Sequence, residues 1–181
     1  MFMANKYNDS QNKITRESIF TALMILMEQR NFKEISITDI TKKAGVSRMA
    51  FYRNYNVKED IISIFIDELL REYSMEILND KVIDINKNLQ LYFSYFRKHE
   101  KLINNLIKSN MINMILEKCI EAFYVLSQNI VCTKAYSSEK QNYWIKYKAG
   151  GLYNVLIEWA KGGMKQSDEY MGKIVSEFIN D

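Results

Sequence analysis

Four side chains within six positions, Arg48, Met49, Tyr52 and Arg53, have the types and spacing to do recognisable chemistry in this 181-residue chain. At 100° per residue they share one arc of about 140°, while Ser47, Ala50, Phe51 and Asn54 fall on the other. Arginine bonds guanine O6 and N7 as a two-pronged fork, tyrosine reaches a phosphate or a base edge, and methionine suits a thymine methyl. Arginine is scarce here, six of 25 basic residues, yet two of the six lie in this segment. Asn54 joins the candidate set, as does Lys58, which opens the following helix where unpaired N–H groups help to hold a phosphate. The plainer reading of the same arc is the solvated face of a small helical unit.

Short elements must aim those side chains. Ile19, Leu23, Leu26 and Met27 recur at helical spacing and predict an amphipathic helix over about residues 10–30. After the polar break NFKEIS, Ser36 caps a second helix, with Asp39 three residues on completing a capping-box pattern. That helix, TDITKKA, stops at Gly45, a usual place for positive φ. Ser47 then caps RMAFYRN, and Phe51 with Ile40, Ala44 and Val46 can close a small core. A two-turn helix, a glycine-bearing turn and a second short helix form a helix-turn-helix layout. Asn56 followed by Glu59 signals a fourth helix, KEDIISIFIDELLREYSMEIL. Further helices are expected near 85–98, 100–108, 110–133, 138–161 and 167–180, giving an all-α chain of about nine helices. The absence of proline and the small number of glycines agree with that class. The expected organisation is a DNA-binding head over residues 1–56 and a helical body over 57–181.

The run ISITDITKKAGVSRMAFYRNYNVKED resembles the DNA-binding signature of the TetR family of bacterial transcriptional regulators. The matching residues are Ile35, Asp39, Ile40, Ala44, Gly45, Val46, Ser47, Phe51, Tyr52, Lys58, Glu59 and Asp60. The resemblance implies that Arg48, Met49 and Tyr52 meet base edges or adjacent backbone. It places Thr38 and Ser47 at helix starts facing phosphates, and makes Lys58 the phosphate-binding lysine. Ala50 departs from the pattern, lacking the hydroxyl many members carry there. Asn54 and Tyr55 replace the more usual aromatic pair, and Val57 stands where a capping Asn or Ser is common, leaving Asn56 to cap. The tail GGLYNVLIEWAKGGMKQSDEYMGKIV resembles the subgroup of dihydroxyacetone kinase regulators, some of which act with a protein partner.

The body supplies the other expected functions. Ile145, Ala149, Leu152, Leu156 and Trp159 recur at spacings of three and four, and Ile174 and Phe178 lie on the apolar face of the last helix. Two such helices per subunit predict a four-helix interface in a two-fold homodimer reading a near-palindrome in double-stranded DNA. Gly150 and Gly151 in that pattern suggest a close helix approach. Tyr92, Tyr95, Phe96, Phe123, Tyr124, Trp144 and Tyr147 are candidates for lining an effector pocket, although aromatics at helical spacing more often fill a core. The expected function is a regulator, a repressor by the family's habit, released by a small effector. The alternative is a protein-interaction adaptor that has lost specific DNA or effector binding.

Composition excludes other classes. Residues 1–56 hold nine basic and five acidic side chains, against 16 and 17 in the remainder, an asymmetry suited to a polyanionic partner at one end. With one histidine and two cysteines there is no zinc cage, no Ser-His-Asp set and no glycine-rich phosphate loop, so neither an enzyme nor a cofactor is expected. Cys119 and Cys132, about 20 Å apart if they share a helix, are expected as core thiols rather than a disulfide. His99, in RKHEK, is expected on the surface. No segment suits a membrane span or a secretory signal, so a cytoplasmic location is expected.

Overall fold

The computed structural model describes residues 2–79, 84–129 and 137–180. Nine α-helices follow one another among them, with no strand: α1 Phe2–Gln29, α2 Ile37–Ala44, α3 Arg48–Tyr52, α4 Glu59–Asn79, α5 Ile85–Lys98, α6 Glu100–Lys108, α7 Asn113–Asn129, α8 Ser138–Lys161 and α9 Asp168–Asn180. A single 3-10 turn, Phe32–Glu34, joins α1 to α2. The all-α class and the order of the elements are those expected, and α5, α6 and α8 keep the expected bounds. Cys132 lies outside the described residues.

The chain packs as two units, 1–65 and 66–181, which divide within α4. In the first, the α1 stripe of Ile19, Leu23, Leu26 and Met27 is buried together with Phe32, Ile35, Ile40, Phe51, Ile61 and Ile62. Phe20 stacks on Phe65 with ring centroids 3.7 Å apart, which ties the first turns of α4 to α1. The opening of α4 differs from expectation. Asp60 provides the cap, its carboxylate accepting from the N–H groups of Asn56 and Val57 at 2.8 and 3.0 Å. A carboxylate in the first turn also answers the positive end of the helix dipole, which an asparagine amide does less well.

In the second unit, α5 lies along α9, α7 along α8, and α6 touches α8. Tyr92, Phe93, Phe96, Leu102, Ile103, Leu106, Ile145, Ala149, Leu156 and Trp159 form its centre. Arg97, at the end of α5, holds the α8–α9 turn. Its Nε meets the Asp168 carboxylate at 2.6 Å, Nη1 donates to the Met164 carbonyl at 2.8 Å, and Nη2 donates to the Gln166 carbonyl. The guanidinium also covers the Trp159 ring at 4.6 Å from its centroid. A planar fork satisfies three oxygens at once, which a lysine could not do in this geometry. His99, expected at the surface, is half-buried at the α5–α6 corner, and that burial lowers its imidazole pKa. Cys119 is in the core as expected, its thiol pushed up to about 12 by burial. The buried Tyr92 hydroxyl makes no hydrogen bond, its polar neighbour being that thiol.

Gly150 and Gly151 make no close helix approach within this chain. A Cβ at either would meet nothing within 4 Å inside the chain. Gly172 of α9 is the tight position, where a Cβ would stand 2.8 Å from the Gln90 nitrogen and 3.0 Å from the Asn86 oxygen, both backbone atoms of α5. Gly172→Ala is therefore expected to push α5 and α9 apart and to lower stability by about 1–3 kcal/mol. Urea denaturation of the variant against the parent measures this, and an unchanged midpoint would mean that the helices have slack there.

Candidate nucleic-acid interface

Two short helices and one tight turn set the geometry of the N-terminal site. Ser36 and Asp39 form a complete capping box: the Asp39 N–H donates to Ser36 Oγ at 3.1 Å, and the Ser36 N–H donates to Asp39 Oδ2 at 3.0 Å. Hydrogen bonds from Ser36, with Arg30 at 3.2 Å, hold the Asp39 carboxyl below its usual range. Gly45 terminates α2 at φ 68°, a conformation that glycine adopts without steric cost. Ser47 Oγ then accepts from the Ala50 N–H at 3.0 Å and starts α3. Phe51, fully buried, anchors α3 edge-on to the Tyr52 ring and tilted against Tyr55.

With Phe51 turned inward, the opposite arc faces solvent. Arg48, Met49, Tyr52 and Arg53 are all exposed, Met49 to 74% and Tyr52 to 49%. Arg48 and Tyr52 are pre-arranged. The guanidinium Nη2 donates to the Tyr52 hydroxyl at 3.4 Å, and its carbon lies 5.9 Å from the ring centroid. Thr38 and Ser47 are exposed at the starts of α2 and α3. Asn54 is half-buried, and its amide donates to the Ala50 carbonyl at 2.8 Å, closing the end of α3.

Lys58 is differently occupied. Its ammonium donates to the carbonyls of Phe32, Lys33 and Ile35 at 2.7, 3.3 and 2.7 Å and lies 4.5 Å from the Phe32 ring centroid. All three of its donors thus face the 3-10 turn that introduces α2. Sequence spacing carries no signal for this contact, which joins residues 23 to 26 positions apart.

The candidates in the second unit separate into groups. Phe123 and Trp144 line a cavity of about 190 Å³, together with Tyr73, Leu89, Lys148 and Leu152. Tyr92 and Phe96 are in the packed core instead. Tyr95 turns to Glu76, the Tyr124 hydroxyl bonds Asn142, and Tyr147 is 72% exposed. Of the residues expected at a dimer face, Ile145, Ala149, Leu152, Leu156 and Trp159 are buried within this chain's own core. Their spacing marks the inner side of α8, so they are unavailable to a second copy. Ile174 is half-buried, and Phe178 is 59% exposed. Tyr143 and Tyr170 also face outward. Among the described residues, no group of His, Cys, Asp and Glu could hold a metal, and no helix is long and apolar enough to cross a membrane.

A capped two-helix motif presenting arginines from an anchored second helix, joined to a helical body, defines a helix-turn-helix DNA-binding protein. The family model described as bacterial regulatory proteins, tetR family, matches residues 19–63, and that described as transcriptional regulator C-terminal region matches residues 83–181. The chain belongs to the TetR family of transcriptional regulators. A curated relative, the HTH-type transcriptional regulator EthR of Mycolicibacterium smegmatis, is 29% identical over 89 residues, 45% of this chain and 41% of its own length. The chain thus spans less than half the length of the curated relative it matches. Among solved structures, Lin0861 from Listeria innocua superposes with a TM-score of 0.76 at 19% identity, covering 94% of this chain and 91% of that one. The dihydroxyacetone kinase operon activator DhaS superposes at 0.62 with 18% identity, covering 91% and 93%. Both share the fold.

The placement of Lys58 makes a prediction. Lys58→Met keeps the apolar stem over Phe32 but removes the ammonium from the Lys33 and Ile35 carbonyls, and from the Phe32 carbonyl, which keeps the Ile35 N–H, and is expected to cost about 1–3 kcal/mol of stability. Thermal unfolding measures it. A variant as stable as the parent would show that the carbonyls find water at no cost and that the ammonium is free for another partner.

Proposed function

We propose that this protein represses transcription, binding a near-palindromic operator as a homodimer and leaving it when a small effector occupies the cavity of the helical body. The observation that carries the reading is the exposed Arg48–Tyr52 pair on a helix fixed from behind by Phe51. Arg48 and Arg53 are the base-edge readers in this proposal, with Met49 suited to a thymine methyl and Tyr52 to a phosphate or base edge. Thr38 and Ser47, exposed at helix starts, contribute backbone N–H groups to phosphates. Lys58 acts at one remove, by holding the turn before α2.

The proposed dimer face is the outer side of α8 and α9, where Tyr143, Tyr147, Tyr170 and Phe178 are exposed. Aromatic side chains are enriched at protein interfaces, and small Gly150 and Gly151 on α8 leave room for a neighbouring helix. The effector need discriminate between two states by only about 1–3 kcal/mol to release DNA. Such a protein works in the cytoplasm beside the chromosome.

Selection on random duplexes with the full chain should enrich a two-fold symmetric motif; an unenriched pool would favour a protein-interaction adaptor. On the enriched duplex, Arg48→Ala should bind about 5- to 150-fold more weakly with an unchanged melting temperature. Equal mobility shifts for variant and parent would remove Arg48 from the contact set. Sedimentation equilibrium should give a dimer mass for the parent and a monomer mass for Tyr147→Glu, and a monomeric parent would end the symmetric reading.

A further inference from the structure

The cavity of the second unit has an uneven chemistry. Tyr73, Ile77, Leu89, Phe123, Trp144 and Leu152 give it an apolar wall, and a single charged side chain, Lys148, enters the lining. The other polar members are largely committed. Ser127 Oγ donates to the Tyr124 carbonyl at 2.8 Å and accepts from the Gln141 amide at 3.1 Å, and the Tyr73 hydroxyl donates to the Asn88 carbonyl at 3.2 Å. Lys148 is half-buried, and among the described residues its ammonium contacts only the Tyr147 ring, 5.7 Å from the centroid, and no carboxylate lines the cavity. Burial alone lowers its pKa.

We infer that the cavity takes a small amphipathic carboxylate, with its apolar part against Phe123, Trp144 and Leu152 and its anionic head on Lys148. A half-buried ammonium without a counter-ion is costly, and a ligand that brings the negative charge relieves that cost. Volume bounds the apolar part. A cavity of roughly 150 Å³ admits benzene, so about 190 Å³ suits a chain or ring of roughly six to eight carbons. A neutral ligand of the same shape would leave the lysine unpaired, and a cationic one would meet repulsion. The inference rests on the reading of this cavity as the effector site.

Isothermal titration of the full chain with octanoate, 1-octanol and octylamine tests it, repeated with Lys148→Met. Octanoate should bind about tenfold or more tightly than 1-octanol, and octylamine should bind most weakly. In Lys148→Met the octanoate preference should vanish while 1-octanol still binds, which shows that the cavity is intact. Equal affinity for octanoate and 1-octanol in the parent, or an undiminished preference in the variant, would overturn the role of Lys148 while leaving an apolar effector site standing. If none of the three binds the parent, the effector reading of the cavity falls and this inference with it.

Discussion

Helix α3 spans five residues, Arg48–Tyr52, and an isolated helix of that length does not persist in water, where about 12–15 residues are marginal. Its existence depends on burying Phe51, because a single cap bond from Ser47 adds only about 1 kcal/mol. The same burial fixes the rotation of the helix, so Arg48, Met49, Tyr52 and Arg53 are turned outward as a consequence of where one ring goes. The α2 capping box and Gly45 set the direction of entry, and the Lys58 ammonium secures the turn preceding α2. The anchoring side and the exposed arginine-bearing side are therefore opposite faces of one short helix.

This arrangement explains why the geometry of the two short N-terminal helices is legible in the sequence. Caps, a positive-φ glycine and the alternation between Phe51 and its exposed neighbours are local, and local rules reach across three or four residues. The helices of the body are equally readable, since their apolar spacing is regular and α8 starts at the Ser137 cap and ends at Gly162. The contacts of Lys58, Asp60 and Arg97 are less legible in sequence. Asp60 acts backwards into the loop before its helix, and Arg97 reaches residues some 70 positions later, which no periodicity encodes.

The dimer candidates show a limit of a different kind. A stripe such as Ile145, Ala149, Leu152 and Leu156 reports that a helix has an inner side, but not whether the inside belongs to one chain or to two. These four are buried within one chain, and Tyr143 and Tyr147 are exposed on the other side of α8. Glycines carry the same ambiguity. Gly150 and Gly151 have open space within the chain, while Gly172, in a less conspicuous setting, is the residue on which the contact of α5 with α9 depends.

The α5–α9 pair is antiparallel. Arg97 rivets the end of α5 to Asp168 at the root of α9, the backbones touch at Gly172, and Ile85 and Ile179 reach the cavity at the opposite end. The Gly172 contact reaches Asn86, next to Ile85, so α5 is pinned against α9 at both of its ends. Any enlargement of that interior space must therefore be taken up by walls other than α5.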